Sequence, residues 1–133
     1  MAANNKPVFV AIPSTTTAQI SAANTNRDGT GTIVDVVTGD ADGTRIERVS
    51  VKAVATTTAG MIRLYHYNGS STYLIHEIAV TAATPSGTVK AWEGEINRVD
   101  GQPLIILPST HKLRVSTHNA EVFNVTAHGG DFS

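Results

Sequence analysis

The feature that most constrains this chain is its punctuation. Short runs rich in Val, Ile and Thr are each closed by Gly, Pro, Asn or Asp, from one end to the other. No stretch carries a convincing helical period. Runs of this kind pair as strands, and a chain built of little else must stack its sheets or close them. Read in order, they predict about nine or ten strands. The expected fold is all-β: a single-domain antiparallel β-sandwich, jelly-roll-like.

Particular runs carry particular expectations. Val8 to Ile12 reads as a first strand ended by Pro13, Ser14 to Thr17 as a polar link, and Ala18 to Ala22 as a weak second strand. Thr32 to Val37 reads as buried. Arg45 to Ala55 is the best amphipathic run, with Val49, Val51 and Ala53 on one side; Ile46 has the wrong parity, which predicts a bulge near Glu47. Met61 to Tyr67 and Thr72 to Thr81 flank Asn68-Gly69-Ser70-Ser71, a hairpin signal. A three-residue loop there would set Tyr67 against Tyr73, Tyr65 against Ile75 and Arg63 against Glu77, leaving Ile62, Leu64, Leu74, Ile78 and Val80 for the core. Val89 to Ile96, Leu104 to Leu107, Lys112 to Thr117 and Val122 to Ala127 complete the set, and His128 to Asp131 reads as a terminal loop.

The size fits one domain: 133 residues, read as a loose arm over 1–6 and a sandwich over 7–133. Apolar residues make up 41%, enough for one core between two layers. Charged residues are only 16% of the chain, below the roughly 25% of average soluble proteins. A polar, weakly charged surface suits a protein that spends its life against other proteins, and it suits an extracellular module equally. The net charge is −1 with no basic block, which argues against nucleic acid as a partner. Apolar runs such as Pro103 to Pro108 are too short to span a bilayer, so no membrane role is expected. The start, Met1 to Pro7, has no basic-then-apolar pattern, and there are no cysteines. Synthesis and folding in a cytoplasm, without disulfides or thiol catalysis, are expected.

Residues that normally announce chemistry are thin. In the hairpin register above, His66 and His76 fall on one face as diagonal neighbours, but a catalytic zinc normally takes three protein ligands and no third is local. The plainer reading puts them at the core margin, bonded to loops or to a neighbouring subunit. His111, His118 and His128 lie near turns and read as surface or interface residues. Asn24-Thr-Asn26-Arg-Asp28-Gly29, with Asp35 at the twelfth position, resembles the front of an EF-hand loop, yet it starts with Asn, ends with Asp and leads into a strand. It reads better as a turn whose side chains bond its own backbone, as does Asp40-Ala-Asp42-Gly43. Glu93 and Glu95 beside Trp92 have the spacing of a glycosidase pair, but one such pair arises by chance in many strands. There is no nucleophile elbow and no phosphate loop. The expectation is therefore no enzyme, no cofactor, no metal site and no catalytic residue.

Three stretches carry a family resemblance: Ala59-Gly-Met-Ile-Arg-Leu-Tyr-His-Tyr-Asn-Gly69; Ala79-Val-Thr-Ala-Ala-Thr-Pro-Ser86 leading to Trp92; and Lys112-Leu-Arg-Val-Ser-Thr-His-Asn-Ala-Glu-Val-Phe123 with Gly129-Gly-Asp-Phe132. Residues 59–132 resemble small tailed-bacteriophage virion structural proteins of the capsid decoration, or cement, type. The resemblance implies a β-sandwich that decorates or cements a capsid, the major capsid protein as partner, self-association as a homotrimer, and location in the virion. Under it, Asn4, Asn5 and Lys6 of the arm and Val8 and Val10 of the first strand are the expected partner-contact residues: the arm orders on contact and the strand pairs by its edge. A tail, baseplate or fibre module, with carbohydrate bound at Trp92 or at Tyr65, Tyr67 and Tyr73, is the alternative.

Overall fold

A computed structural model of the chain describes residues 10–97 and 102–133. Among them lie nine strands: β1 (Ile12–Ile20), β2 (Val34–Thr38), β3 (Thr44–Ala53), β4 (Gly60–Tyr67), β5 (Thr72–Val80), β6 (Glu93–Asn97), β7 (Ile105–Leu107), β8 (Lys112–Thr117) and β9 (Phe123–Asp131). Their pairing is antiparallel and nested. β1 pairs with β9, β2 with β8, β3 with both β6 and β7, and β4 with β5. The chain is thus one long two-stranded ribbon, folded at the β4–β5 tip and rolled up so that its segments divide between two sheets. The first sheet runs β1-β9-β3-β6 with β7 also beside β3; the second runs β2-β8-β4-β5. β6 and β7 line different lengths of β3, so they fill one strand position, and the order is that of a jelly roll.

Alternation decides which residues face inward. On β8, Leu113 and Val115 enter the core while Lys112 and Arg114 turn out. β3 supplies Val49, Val51 and Ala53, as expected. Ile46 is also buried, because the register against β9 shifts between Ile46 and Arg48 and restores its parity. With Ile62, Leu64, Leu107, Phe123 and Val125 these make the core between the sheets. Trp92 closes one side, standing edge-on to Phe123 with ring centres 5.8 Å apart.

The hairpin tip is built by Asn68, whose Oδ1 accepts the N–H groups of Ser70 and Ser71 at 3.0 and 2.8 Å. Gly69 takes a φ of 92°, which suits glycine. Arg63 lies opposite Glu77 as expected, but nearer the tip the register shifts between Leu64 and Tyr65. Tyr65 therefore faces Leu74, His66 faces Tyr73, and Tyr67 faces Thr72. The extra residue, Ile75, packs against the core in the place expected for Leu74.

Two ends of the ribbon differ from expectation. Pro13 does not end a strand; it lies inside β1, and Ser14 to Thr17 are strand rather than link. β1 is a sheet edge, where proline is tolerated and β-branched threonines fit the pleat. At the other end, His128 to Asp131 are strand, paired on both sides. A Cβ on Gly129 would lie 1.9 Å from the Arg45 carbonyl oxygen, so these glycines mark close backbone approach rather than a loop. Val89 to Ala91 lie outside β6. Of the expected contact residues, Asn4, Asn5, Lys6 and Val8 fall outside the described residues, as does the arm; Val10 is half-buried just before β1.

Core truncations should be costly and surface ones should not. Leu64→Ala or Leu113→Ala should lower unfolding free energy by about 2–5 kcal/mol in urea titration. Thr88→Ala, on an exposed loop, should stay within about 0.5 kcal/mol.

Candidate functional site

The outward face of the first sheet is a polar carpet laid in rungs. Gln19, Asn124, Lys52 and Glu93 form one rung across β1, β9, β3 and β6; Thr17, Thr126, Ser50 and Glu95 form the next; Thr15, His128 and Arg48 follow. Bonds between neighbouring strands fix these side chains. Gln19 Nε2 donates to Asn124 Oδ1 at 2.9 Å, the Thr17 and Thr126 hydroxyls lie 3.1 Å apart, and Ser50 Oγ lies 3.1 Å from His128 Nε2. Arg48 Nη1 donates to Glu95 Oε2 at 2.9 Å, and Lys52 Nζ donates to the Ala91 carbonyl at 2.9 Å. The carpet dips into an open trough of about 450 Å³ lined by Arg48, Ser50, Lys52, Glu93, Glu95, Asn124 and Thr126.

Glu93 and Glu95 share that face, each tied to a cation. Lys90 lies 2.6 Å from Glu93, and its hydrogen bond and charge hold the Glu93 carboxyl below the usual carboxylate range. A glycosidase acid needs the opposite shift. The rings of a sugar platform are also engaged elsewhere. Trp92 packs on Phe123, Tyr65 is buried, and the cations of Lys112 and Arg114 lie 5.8 and 5.6 Å from the Tyr67 ring centre. Tyr73 alone of these rings is largely exposed, at 56%.

The outward face of the second sheet is covered at its centre, over Arg63 and Tyr65. Arg63 and Tyr65 point away from the core and are nevertheless buried, at 1% and 0% exposure. Residues 24–32 cover them. Arg63 Nη1 donates to the Asn24 carbonyl at 3.1 Å, Nη2 lies 3.1 Å from His118 Nδ1, and Nε is 3.4 Å from Glu77 Oε2, which also takes Arg27 Nε at 3.1 Å. Tyr65 donates its hydroxyl to the Asn26 carbonyl at 3.0 Å.

The calcium-like stretch is this cover, and its side chains bond the loop itself. Asn24 Nδ2 donates to the Thr30 and Thr32 carbonyls at 2.9 and 3.0 Å, and its Oδ1 accepts the Asn26 N–H at 3.0 Å. Asp28 Oδ1 accepts the Thr30 hydroxyl and N–H, which hold its carboxyl below the usual value. The self-bonded turn expected from the sequence is what forms. Gly29, at φ 85°, lies so close to β5 that a Cβ there would sit 2.4 Å from the Thr72 carbonyl oxygen. Beside the cover, Arg114 and Lys112 both bond Asp35, at 2.7 and 2.9 Å. Burial works to raise the Asp35 carboxyl, but the Lys112 hydrogen bond and the Arg114 charge outweigh it and keep it low.

The hairpin keeps His76 opposite Leu64, as the expected register has it, and sets His66 against Tyr73. The ring of His66 meets His111 from the turn before β8, Nε2 to Nδ1 at 2.9 Å. Among the described residues no group of three or more His, Cys, Asp or Glu is placed to hold a metal ion. Sequence reasoning missed this pair, and it missed the burial of Arg63. The available signal for Arg63 was the density of turn-forming Asn, Asp and Gly in the loop that covers it.

No family model matches this chain, and no curated protein matches it. Among solved structures, a chain of the cyanophage Pam1 capsid asymmetric unit aligns with 97% of this chain and 94% of its own length, at 12% identity and a TM-score of 0.41. At that score the likeness is loose.

Two measurements check the site. Removing the Arg63 side chain leaves the Asn24 carbonyl without its donor, so Arg63→Met should cost about 1–3 kcal/mol in urea titration. Glu77→Gln takes the carboxylate from the buried Arg63 guanidinium and should cost about 3 kcal/mol or more. The histidines set a pH dependence. Burial, then the nearby His111, lowers the His66 pKa below 6.5; burial and Arg48 lower that of His128, against Glu95. Below about 6.5 the unfolded chain therefore binds more protons than the folded one. Stability should be full above that pH and fall as pH drops towards the folded values, and His66→Gln should flatten the fall.

Proposed function

We propose that this chain is a non-enzymatic phage virion structural protein that decorates or cements the capsid by bridging neighbouring capsid subunits. The observation that carries the reading is the outward face of the first sheet. Its rungs hold uncharged or charge-paired side chains already bonded to one another, so contact with another protein orders little and strands few charges. The resemblance of residues 59–132 to decoration proteins points the same way. A rigid, disulfide-free sandwich makes many weak contacts, and repetition over a lattice turns weak contacts into firm attachment. The major capsid protein is the partner on this reading, with three copies meeting at local three-fold positions.

The trough on the same face favours a second reading, a tail, baseplate or fibre module that holds a carbohydrate. Its lining of Ser50, Asn124, Thr126 and paired charges offers hydrogen bonds to hydroxyls, without an aromatic floor.

Particles grown without this gene, mixed with the purified chain, should take it up in a saturable way. Deleting residues 1–6 should weaken uptake at least several-fold and leave the circular dichroism spectrum unchanged. A Ser50→Lys change in the middle of the carpet should weaken it as well. Absence of uptake, together with glycan-array binding lost on Ser50→Lys, would replace the capsid reading with the second one.

A further inference from the structure

Sheet edges are normally guarded by charge, by proline, by a bulge or by shortness. Four of the five outer strands among the described residues follow that rule: β2 has five residues and Asp35, β5 carries Glu77 and a bulge, β6 carries Glu93 and Glu95, and β7 has three residues. Of these guards β1 has only Pro13. It runs nine residues from Ile12 to Ile20, contains no charged side chain, and pairs with β9 on one side only; among the described residues no strand pairs with its other side.

The sequence of β1 has the same ends and the same centre in both directions, Ile-Pro-Ser-Thr-Thr-Thr-Ala-Gln-Ile, and differs only at Pro13/Gln19 and Ser14/Ala18. We propose that β1 is a self-recognition edge, and that its occupant is β1 of a second copy, running antiparallel about a two-fold axis through Thr16. That centre uses all nine residues of the strand. It sets Thr16 against its own counterpart, Thr15 against Thr17, Ser14 against Ala18, and Ile12 against Ile20; Pro13 faces Gln19, and that pair lacks one N–H donor.

Opposed residues share a face of the sheet, so both cores lie on the same side of one continuous sheet. Half-exposed Ile12 gains an apolar neighbour, and the threonines pair by hydroxyls, a favourable cross-strand match. The uncharged edge meets no like charge in its copy, whereas β6 would set glutamates near glutamates. The rungs of Thr15, Thr17 and Gln19 on the outward face then continue across the axis. Such a contact is isologous and joins chains in pairs. It joins two neighbouring chains, or two trimers, and does not itself build a trimer. The pairing goes beyond the capsid reading and stands whether or not that reading holds.

The absence of native cysteine makes the test clean. Opposed residues have Cα atoms about 4.5–5.5 Å apart, within disulfide range, while diagonal ones at about 7–8 Å are not. Full-length Thr16→Cys should therefore form a disulfide-linked dimer on mild oxidation, at least ten-fold faster than Thr88→Cys on an exposed loop. Thr15→Cys and Thr17→Cys, whose side chains face solvent, should each link slowly alone and rapidly when mixed. They carry the test if Thr16→Cys fails to fold. Linking no faster than Thr88→Cys, or Thr15→Cys linking to itself as readily as to Thr17→Cys, would overturn the pairing.

Discussion

Everything in this structure turns on β4 being buried on both faces. Ile62 and Leu64 enter the core between the sheets, while Arg63 and Tyr65 leave it in the opposite direction and still reach no water. A guanidinium in that position needs an acceptor on each side, because an unpaired buried charge costs several kcal/mol. The 24–32 loop provides the Asn24 carbonyl, His118 a ring nitrogen, and Glu77 a carboxylate, while the Asn26 carbonyl takes the Tyr65 hydroxyl. The loop must therefore lie flat on the second sheet, which explains its self-bonded Asn and Asp side chains and the left-handed glycine against β5.

This makes the molecule two-sided. The second sheet is covered over Arg63 and Tyr65, whose polar groups are spent on internal bonds. The first sheet keeps an open outward face, bonded along its rungs and nearly free of unpaired charge. Its β1 edge is long and uncharged. A body with one sheet covered at its centre and the other open suits a protein placed against neighbours in a fixed orientation. The same division accounts for the histidines: His66, His118 and His128 hold His111, Arg63 and Ser50 respectively, so they tie elements together at the margins of the sandwich.

How much of this was legible in the sequence depends on where one reads. Strict alternation made β8 readable to the residue, and the parity break at Ile46 located a bulge that the structure contains. The Arg63–Glu77 pair was readable too, because opposite charges favoured one register. The slip nearer the tip was not, since placing Ile75 rather than Leu74 in the core depends on how the second sheet meets the first. β1 was hidden because Pro13 and a run of threonines look like a link, and only their position at a sheet edge makes them a strand. Gly129 and Gly130 were hidden for the converse reason: they allow β1 and β3 to approach β9, a requirement that exists only once those strands are assembled. For the functional surface, the sequence reported polarity and low charge. The rungs that make it a single flat face come from long-range register.

The most direct test of this account is the number of copies of the chain in density-gradient-purified phage particles carrying its gene, counted against the major capsid protein. The account predicts hundreds per particle, in fixed proportion to the capsid subunits. A handful per particle, or none, would contradict it.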